Sequence, residues 1–390
     1  MNRYLIIAFM FACCLVSACR KTEFADITSP AYLRVFNCLD YDLTLDNKDA
    51  PQAFLVMLID PVLDADGIPQ SATITGDFLD KRDTWARPYP DAVNTTIWQK
   101  EYPGTLKTLA GPILNGYDLS SWAQVPSGKH RVIFRTRPYS NVPYFSLEKN
   151  LRGTSIIDTT IDLQSHEVYT MHVLETKYLS NKAALYLRNE TFVKLPLSDS
   201  LVYINFYNLS AENYFATTSA KPDPNLVPNR YIRDTAGIFY SLGRVKNNNQ
   251  FLPFAGYENI PMGSMIRSHD PHVNPYYSFP LFADTSANKI FTGNMAQFFK
   301  FFAPGLSPQT VQAYSGNGLF SAIGMGDYGW VVGNANAPYG VKADLRTGLI
   351  ISTHSGTNNP QSFATVNTLE FINNKFYLTT IQRKYAPPIY

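Results

Sequence analysis

The sequence is poor in cysteine, in charge and in long apolar runs. Charged residues make up 16% of the 390 residues, and the formal net charge is only +2. Because no basic block stands out from this background, nucleic acid is not indicated as a partner. Of the four cysteines, only Cys38 lies beyond residue 19, so no intramolecular disulfide framework is expected in the main part of the chain.

Sequence motifs of the common enzyme classes are also missing. The chain has no Gly-x-Ser-x-Gly elbow, phosphate loop or His-Glu-x-x-His pattern, and its six histidines are scattered. We therefore predict a protein that is not an enzyme and needs no cofactor. A secreted hydrolase such as a glycosidase stays an alternative, because geometry and not spacing selects a catalytic carboxylate pair.

Three segments contain residue types found in ligand sites, but each lacks the rest of its motif. Segment 269–272 (HDPH) has no third metal ligand near it, and Pro271 excludes a helix there. The acidic segment 40–66 lacks the distal glutamate of a calcium loop. Residues 324–329 (GMGDYG) match a dinucleotide fingerprint as a string, but glycine, asparagine and proline follow them where a helix is needed. We predict no metal site, interpret the first two segments as polar loops and turns, and interpret the third match as accidental.

What the sequence does contain begins at its N-terminus. Arg3 precedes the apolar run Leu5 to Ala18, which is too short to cross a bilayer and is typical of a signal peptide. The run ends in Val16-Ser17-Ala18-Cys19, which resembles a bacterial lipobox. We predict a signal peptide over residues 1–18, lipidation at Cys19 and a polar tether over residues 19–30. An ordinary secretory peptide and a buried N-terminal helix are the alternatives.

The composition of the remaining chain favours strands. It is rich in tyrosine, phenylalanine and β-branched residues, with abundant proline, glycine and asparagine for turns. We expect strands at 32–39, 53–59, 129–136, 155–163, 167–174, 184–187, 192–195, 201–209, 368–372 and 375–382, with 155–163 and 167–174 forming one hairpin and the last two segments another. The fold class that follows is all-β.

The strand pattern restarts in the second half of the chain. Segment 201–209 (LVYINFYNL) resembles segment 32–39 (YLRVFNCL), and segment 375–379 resembles 167–171. We predict two domains in tandem, the first over residues 31–196 and the second, richer in loops, over residues 197–390. Chance convergence of β-rich sequence is the alternative.

Three of these segments resemble a known family. The strand Leu33 to Asn37, the turn Ser127-Gly128-Lys129 and the strand Val168 to Thr170 are similar to the domain of unknown function 4397 family. The resemblance implies two Ig-like antiparallel β-sandwich domains and no catalytic residues. The chain departs from the family in its long insert, residues 68–124.

Aromatic residues are the candidates for ligand contact. Planar rings stack on sugars and anchor protein interfaces, but they also fill cores under long loops, and both interpretations stay open. The candidates in the insert are Trp85, Trp98 and Trp122, and those in the second half are Tyr276, Tyr277 and Trp330.

Together these features predict a lipid-anchored cell-envelope protein. Segments 158–160, 199–201 and 234–236 resemble the short O-glycosylation acceptor of Bacteroidota. We expect an outer-membrane lipoprotein of that type, on the periplasmic face or the cell surface, which binds protein or glycan or supports an outer-membrane assembly. A pilus-type adhesin subunit is a further alternative.

The lipobox leads to a direct prediction for Cys19. Cys19→Ala is expected to abolish incorporation of radiolabelled palmitate and to move the protein from the membrane fraction to the soluble fraction, because the acyl chains supply the anchor. Cys38→Ala is the matched control and is expected to keep both properties. Unchanged membrane association of Cys19→Ala would contradict the lipid anchor.

Overall fold

The structure is a computed structural model. It describes residues 25–39, 52–78, 101–104, 106–140, 142–198, 201–214, 234–245, 251–280, 282–284, 289–290, 295–302, 319–326, 332–333, 365–373 and 375–383.

The described residues form strands and their connections, which confirms the all-β prediction. The helical residues among them lie in short 3-10 turns, which include η1 (Tyr144–Ser146), η2 (Lys149–Leu151) and η3 (Phe192–Lys194), the last in place of the strand expected at 192–195. None of these has the length and apolar character needed to span a bilayer.

Residues 25–198, which we call the N-terminal half, form two main sheets. The strands are β1 (Pro30–Asn37), β2 (Gln52–Leu63), β3 (Pro69–Asp77), β4 (Glu101–Tyr102), β5 (Ile113–Leu114), β6 (Tyr117–Asp118), β7 (Ala123–Pro126), β8 (Gly128–Arg137), β9 (Ser155–Leu163), β10 (Val168–Glu175) and β11 (Ala183–Glu190). The N-outer sheet has the order β3-β2-β8-β9. The N-inner sheet has the order β11-β10-β1-β4, with β7 also paired to β1.

These two sheets pack face to face over an apolar core. The alternation along β1 directs Leu33 and Val35 towards the N-outer sheet, where they meet Met57, Phe134 and other buried residues. The neighbouring residues of β1, from Ala31 to Asn37, are buried as well. Strand β1 is therefore covered on both faces, so a further layer lies on its other side.

Residues 201–383, the C-terminal half, also form two main sheets. Their strands are β12 (Leu201–Asn208), β13 (Thr235–Val245), β14 (Phe251–Pro253), β15 (Ile260–Ile266), β16 (Tyr277–Pro280), β17 (Phe282–Asp284), β18 (Lys289–Ile290), β19 (Met295–Phe302), β20 (Leu319–Gly326), β21 (Val332–Gly333), β22 (Thr365–Ile372) and β23 (Lys375–Gln382). The C-inner sheet has the order β16-β12-β22-β23. The C-outer sheet has the order β14-β13-β19-β20-β21, with β15 paired to β13.

The first strand of each half pairs in the same unusual way. Strand β1 is parallel to β10, and β10 is antiparallel to β11. Likewise β12 is parallel to β22, and β22 is antiparallel to β23. The expectation of purely antiparallel sheets is therefore corrected at these two pairs, which lie between other layers as parallel strands do.

Two details of the sequence comparison are also corrected. Segments 155–163 and 167–174 do not form a hairpin, because β9 pairs with β8 and β10 pairs with β1, so the turn at His166 crosses between sheets. The strand of the C-terminal half that corresponds to β10 in its pairing is β22. Segment 375–379, which resembles 167–171 in sequence, belongs to β23. The expected hairpin of β22 and β23 is confirmed.

The two halves meet through their inner sheets. One apolar cluster contains Tyr32 and Val168 from the N-inner sheet with Tyr203 and Val366 from the C-inner sheet. A second contains residues from the other ends of the same strands, among them Phe36, Leu174, Tyr207 and Ile372. Rings of the C-inner and C-outer sheets also pack together, as in the pair Phe206 and Phe299, whose centroids are 5.5 Å apart. Four sheets are therefore stacked in the order N-outer, N-inner, C-inner, C-outer.

Two glycines of the N-terminal half differ in how closely other atoms approach them. Gly153 has φ +63°, and a Cβ there would lie 2.0 Å from the carbonyl oxygen of Thr136. Gly67 has φ +73° and no atom within 4 Å of the same position. Gly67→Ala is expected to lower the free energy of unfolding by about 1 kcal/mol, the cost of a left-handed alanine. Gly153→Ala is expected to lower it by more than about 3 kcal/mol, because the backbone must move as well.

Urea unfolding of both variants measures this difference. Equal losses of stability in Gly67→Ala and Gly153→Ala would contradict the close approach of Gly153 to Thr136.

Candidate functional site between the inner sheets

Only part of the sequence-predicted site falls on described residues. Cys19, Trp85, Trp98 and Trp330 lie outside them, as does the acidic segment 40–49, so these stay predictions. Trp122, Tyr276 and Tyr277 are described.

Trp122 belongs to a segment of the N-terminal half that also packs against the C-terminal half. Residues 106–124, which we call the strap, carry Tyr117, Leu119 and Trp122 into the apolar cluster shared by the inner sheets. Trp122 is 2% exposed, and its ring centroid lies 6.3 Å from that of Phe192. The ring is therefore buried in a core, the second of the two interpretations that the sequence left open, and is not presented to a ligand at the surface.

Tyr276 lies beside the same interface, although it comes from the other half. Its phenol is buried, which raises its pKa well above the usual value, and the carboxylate of Glu190 raises it further. Tyr277 lies at the start of β16 and packs against Phe206 at 5.9 Å. Trp122 and Tyr276 therefore both lie at the interface between the two inner sheets. Tyr277 instead packs on the face of the C-inner sheet that carries Phe206.

Four titratable residues, which we call the central ionic cluster, lie between the two shared apolar clusters. Arg188 donates through Nε and Nη2 to Oε1 of Glu190, at 3.1 and 2.8 Å. Its Nη1 lies 2.7 Å from Oε1 of Glu370, across the interface. The other oxygen of Glu370 lies 2.6 Å from Nε2 of His172. All four side chains are at most 5% exposed.

Alternation along the strands explains how these polar groups reach the interface. In β10 and β11, every second residue points away from the N-terminal core, and His172, Arg188 and Glu190 occupy such positions. In β22, Glu370 lies between Leu369 and Phe371, which point to the other face of the sheet, where Phe371 packs against Phe301. Each half therefore contributes charge to a surface that its partner covers.

Aromatic rings enclose the arginines of the interface. The guanidinium carbon of Arg188 lies 4.2 Å from the ring centroid of Tyr207. Arg34, beside the cluster, is paired with Glu101 at 2.6 Å and lies 4.6 Å from the ring of Phe36. A stacked guanidinium gains cation–π attraction on a face where it makes no hydrogen bond.

The charges keep each other ionised. Burial alone would raise the pKa of Glu370, but His172 and Arg188 outweigh it and lower that pKa to about 2. For Arg188, burial lowers the pKa and the two carboxylates more than compensate, so its pKa is raised well above the usual value. The ion pair between the halves is therefore present at neutral pH.

The surroundings of the cluster favour a structural role over acid–base chemistry. Glu190 and Glu370 are held by the same arginine, and the adjoining cavity has a volume of about 10 Å³. Sites for small organic ligands are usually about 300 Å³ or more. The cluster is suited to holding the two inner sheets in one relative position.

The remaining sequence candidates make local contacts or lie within a strand. His269 donates a hydrogen bond through Nε2 to the carbonyl of Leu209, and His272 forms an exposed pair with Asp270. Asp64 accepts hydrogen bonds from backbone groups of its own turn. Gly324 and Gly326 lie within strand β20. Across the described ranges, no three histidine, cysteine or acidic side chains are grouped so that they could hold a metal ion.

The sequence analysis did not identify the central ionic cluster. The available signal was charge at the alternate positions of strands whose other positions are apolar, as at His172 in VYTMHVLE and Glu370 in TVNTLEFI. That pattern usually marks a solvent-exposed face. Only the packing of a second sheet on this face reveals the cluster.

The chain matches no protein-family model, and no curated protein sequence is significantly similar to it.

Glu370 offers a test of the cluster through the pH dependence of stability. Because the folded-state pKa is lowered from 4.5 to about 2, its contribution is present above pH 4.5 and is lost as the pH falls towards 2. By linkage we expect that contribution to be about 3 kcal/mol. At pH 7, Glu370→Gln should be destabilised by on the order of 3–5 kcal/mol, since Arg188 loses a buried partner.

Urea unfolding at pH 7, 4.5 and 3 measures this effect. Glu148→Gln, which removes an exposed carboxylate, is the control and should follow the wild type at each pH. A Glu370→Gln protein with the same stability and the same pH dependence as the control would contradict the ionised interface.

Proposed function

We propose that the protein is a non-enzymatic, lipid-anchored cell-envelope protein of a Bacteroidota-type outer membrane. In this proposal Cys19 carries the lipid, and two Ig-like sandwich domains stand in tandem above the membrane. They act as one rigid unit that presents a binding surface to a protein or glycan, as an accessory of an outer-membrane assembly.

The observation that carries this proposal is the buried contact between the inner sheets. An ionic cluster enclosed between two apolar clusters joins the halves along the length of their strands. Backbone bonds extend the contact, because Tyr178 N donates to the carbonyl of Glu212 and Glu212 N donates to that of Thr176. Such a body suits a spacer or a binding scaffold, in which fixed geometry is useful.

The start of β1 defines which end of the molecule lies nearest to the proposed tether. Ten residues, 20–29, separate Cys19 from the start of β1 at Pro30, and they span at most about 36 Å when extended. The turns Pro126–Gly128 and Gln164–Glu167 adjoin Pro30, so they belong to the tether end. Strand β8 starts there and runs for ten residues, roughly 33 Å, to the far end.

At that far end, Arg137 holds the residues that follow β8. Arg137 is fully buried, forms an ion pair with Asp77 and donates to the carbonyls of Ser140 and Val142 at 2.8 and 2.7 Å. The loop presents Tyr139 and Val142, which are 40% and 42% exposed. A loop fixed by a buried arginine loses little entropy on binding. We assign the binding surface to this end of the molecule.

The enclosed carboxylates bear on the hydrolase alternative. A glycosidase needs two carboxyl groups that reach a sugar, whereas Glu190 and Glu370 are at most 4% exposed and share Arg188. The proposal therefore assigns them to the contact between the halves.

A photo-crosslinking amino acid at position 139 tests the proposed surface in intact cells. We expect discrete higher-mass adducts in the envelope fraction, formed with the wild-type anchor and lost in Cys19→Ala. The same amino acid at position 165, an exposed residue at the tether end, is the matched control and should not give these adducts. Adducts at position 165 alone, or none at position 139, would contradict the assignment of the surface.

A further inference from the structure

A small cavity adjoins the central ionic cluster. It has a volume of about 10 Å³, and its polar lining includes Trp122, Arg188, Glu190 and three threonines, Thr170, Thr368 and Thr379. The cavity thus lies where the strap and both inner sheets come together.

Three buried polar atoms of the residues that line this cavity have no hydrogen-bond partner among the described residues. One is Nη1 of Arg188, which forms the ion pair with Glu370. The other two are the indole Nε1 of Trp122, a donor, and Oε2 of Glu190, an acceptor. Trp122 is 2% exposed and Glu190 is 4% exposed, so bulk water does not satisfy these atoms. Leaving a buried donor or acceptor unpaired is unfavourable, and native proteins usually avoid it.

The size and charge of the cavity define what can bind there. A cavity of roughly 10–15 Å³ holds one water molecule, and no organic group is small enough. The charged lining residues, Arg188 and Glu190, are paired with each other, so no surplus charge favours an ion. The ligand must also accept a hydrogen bond from Trp122 and donate one to Glu190. A carboxylate disfavours an anion, and an indole N–H cannot coordinate a cation.

We infer that one internal water molecule is bound in this cavity and bridges Nε1 of Trp122 and Oε2 of Glu190. It connects the strap to the central ionic cluster, which makes it a structural part of the contact between the halves. Buried waters of this kind typically make about three hydrogen bonds, and the three threonines offer further partners.

Water–protein cross-relaxation in NMR measures this binding on the full chain without its first 18 residues. The indole N–H signal of Trp122 is assigned by its disappearance in Trp122→Phe. We expect a cross-peak between this indole proton and the water resonance, with the sign of a long-lived complex. Absence of that cross-peak in the wild type would overturn the inference.

Two variants separate bound water from other sources of the signal. Thr368→Val removes a hydroxyl at nearly constant volume, and the cross-peak is expected to persist. If it is lost, exchange relayed by the threonine hydroxyl explains the signal and the inference fails. Thr379→Ile replaces the hydroxyl with carbon and adds a further methyl group to the lining, so it is expected to remove the cross-peak while the indole signal remains.

A crystal structure at high resolution, with a second crystal soaked in bromide, identifies the bound species. We expect a single water-sized density peak within hydrogen-bond distance of both Trp122 Nε1 and Glu190 Oε2, without anomalous signal. An anomalous bromide peak in the cavity would show an anion site and overturn the inference, as would a cavity without density.

Discussion

The contact between Glu370 and its two partners, Arg188 and His172, is the interaction on which the arrangement of the halves depends. A carboxylate that is 1% exposed is stable only if its charge is compensated, and both compensating groups belong to the opposite sheet. Any shift of one inner sheet along the other would separate these charges inside a low-dielectric interface. The flanking apolar clusters supply most of the favourable burial, but they would tolerate small displacements. The ionic contact therefore selects one register among several that apolar packing alone would allow.

The strap supplies part of the apolar interface between the two halves. Its residues Tyr117, Leu119 and Trp122 contribute to the cluster that contains Tyr203 and Val366, so a connection within the N-terminal half covers part of the C-terminal half. Because the strap is packed against both inner sheets, its large rings are structural, although their number in one insert suggests a binding surface when only the sequence is known. The same physical property, a large planar apolar area, serves both purposes, and only burial distinguishes them.

The elements that the sequence predicts well are those with strong local patterns. The apolar run of β2, the alternation in β9 and the β22–β23 hairpin are predicted from neighbouring residues alone. The pairing of β9 with β8, the parallel pairs and the ionic cluster depend on residues far apart, and His172 and Glu370 are separated by 198 positions. Local propensity carries no information about which sheet a strand joins. A charged residue in a strand also has the same local pattern whether water or another sheet covers it.

Equivalent positions of the two halves carry different residues at the centre of the interface. His172 precedes the residue that pairs with Asn37, and Glu370 precedes the residue that pairs with Asn208, so the two occupy equivalent positions. They also contact each other across the interface, where Nε2 of His172 lies 2.6 Å from Oε2 of Glu370. Two glutamates facing each other there would repel, and two histidines would leave Arg188 without its partner across the interface. The central position must therefore differ between the halves, and each side chain that surrounds it adapts to a different neighbour. Sequence divergence at the interface is in this way a requirement of the contact itself.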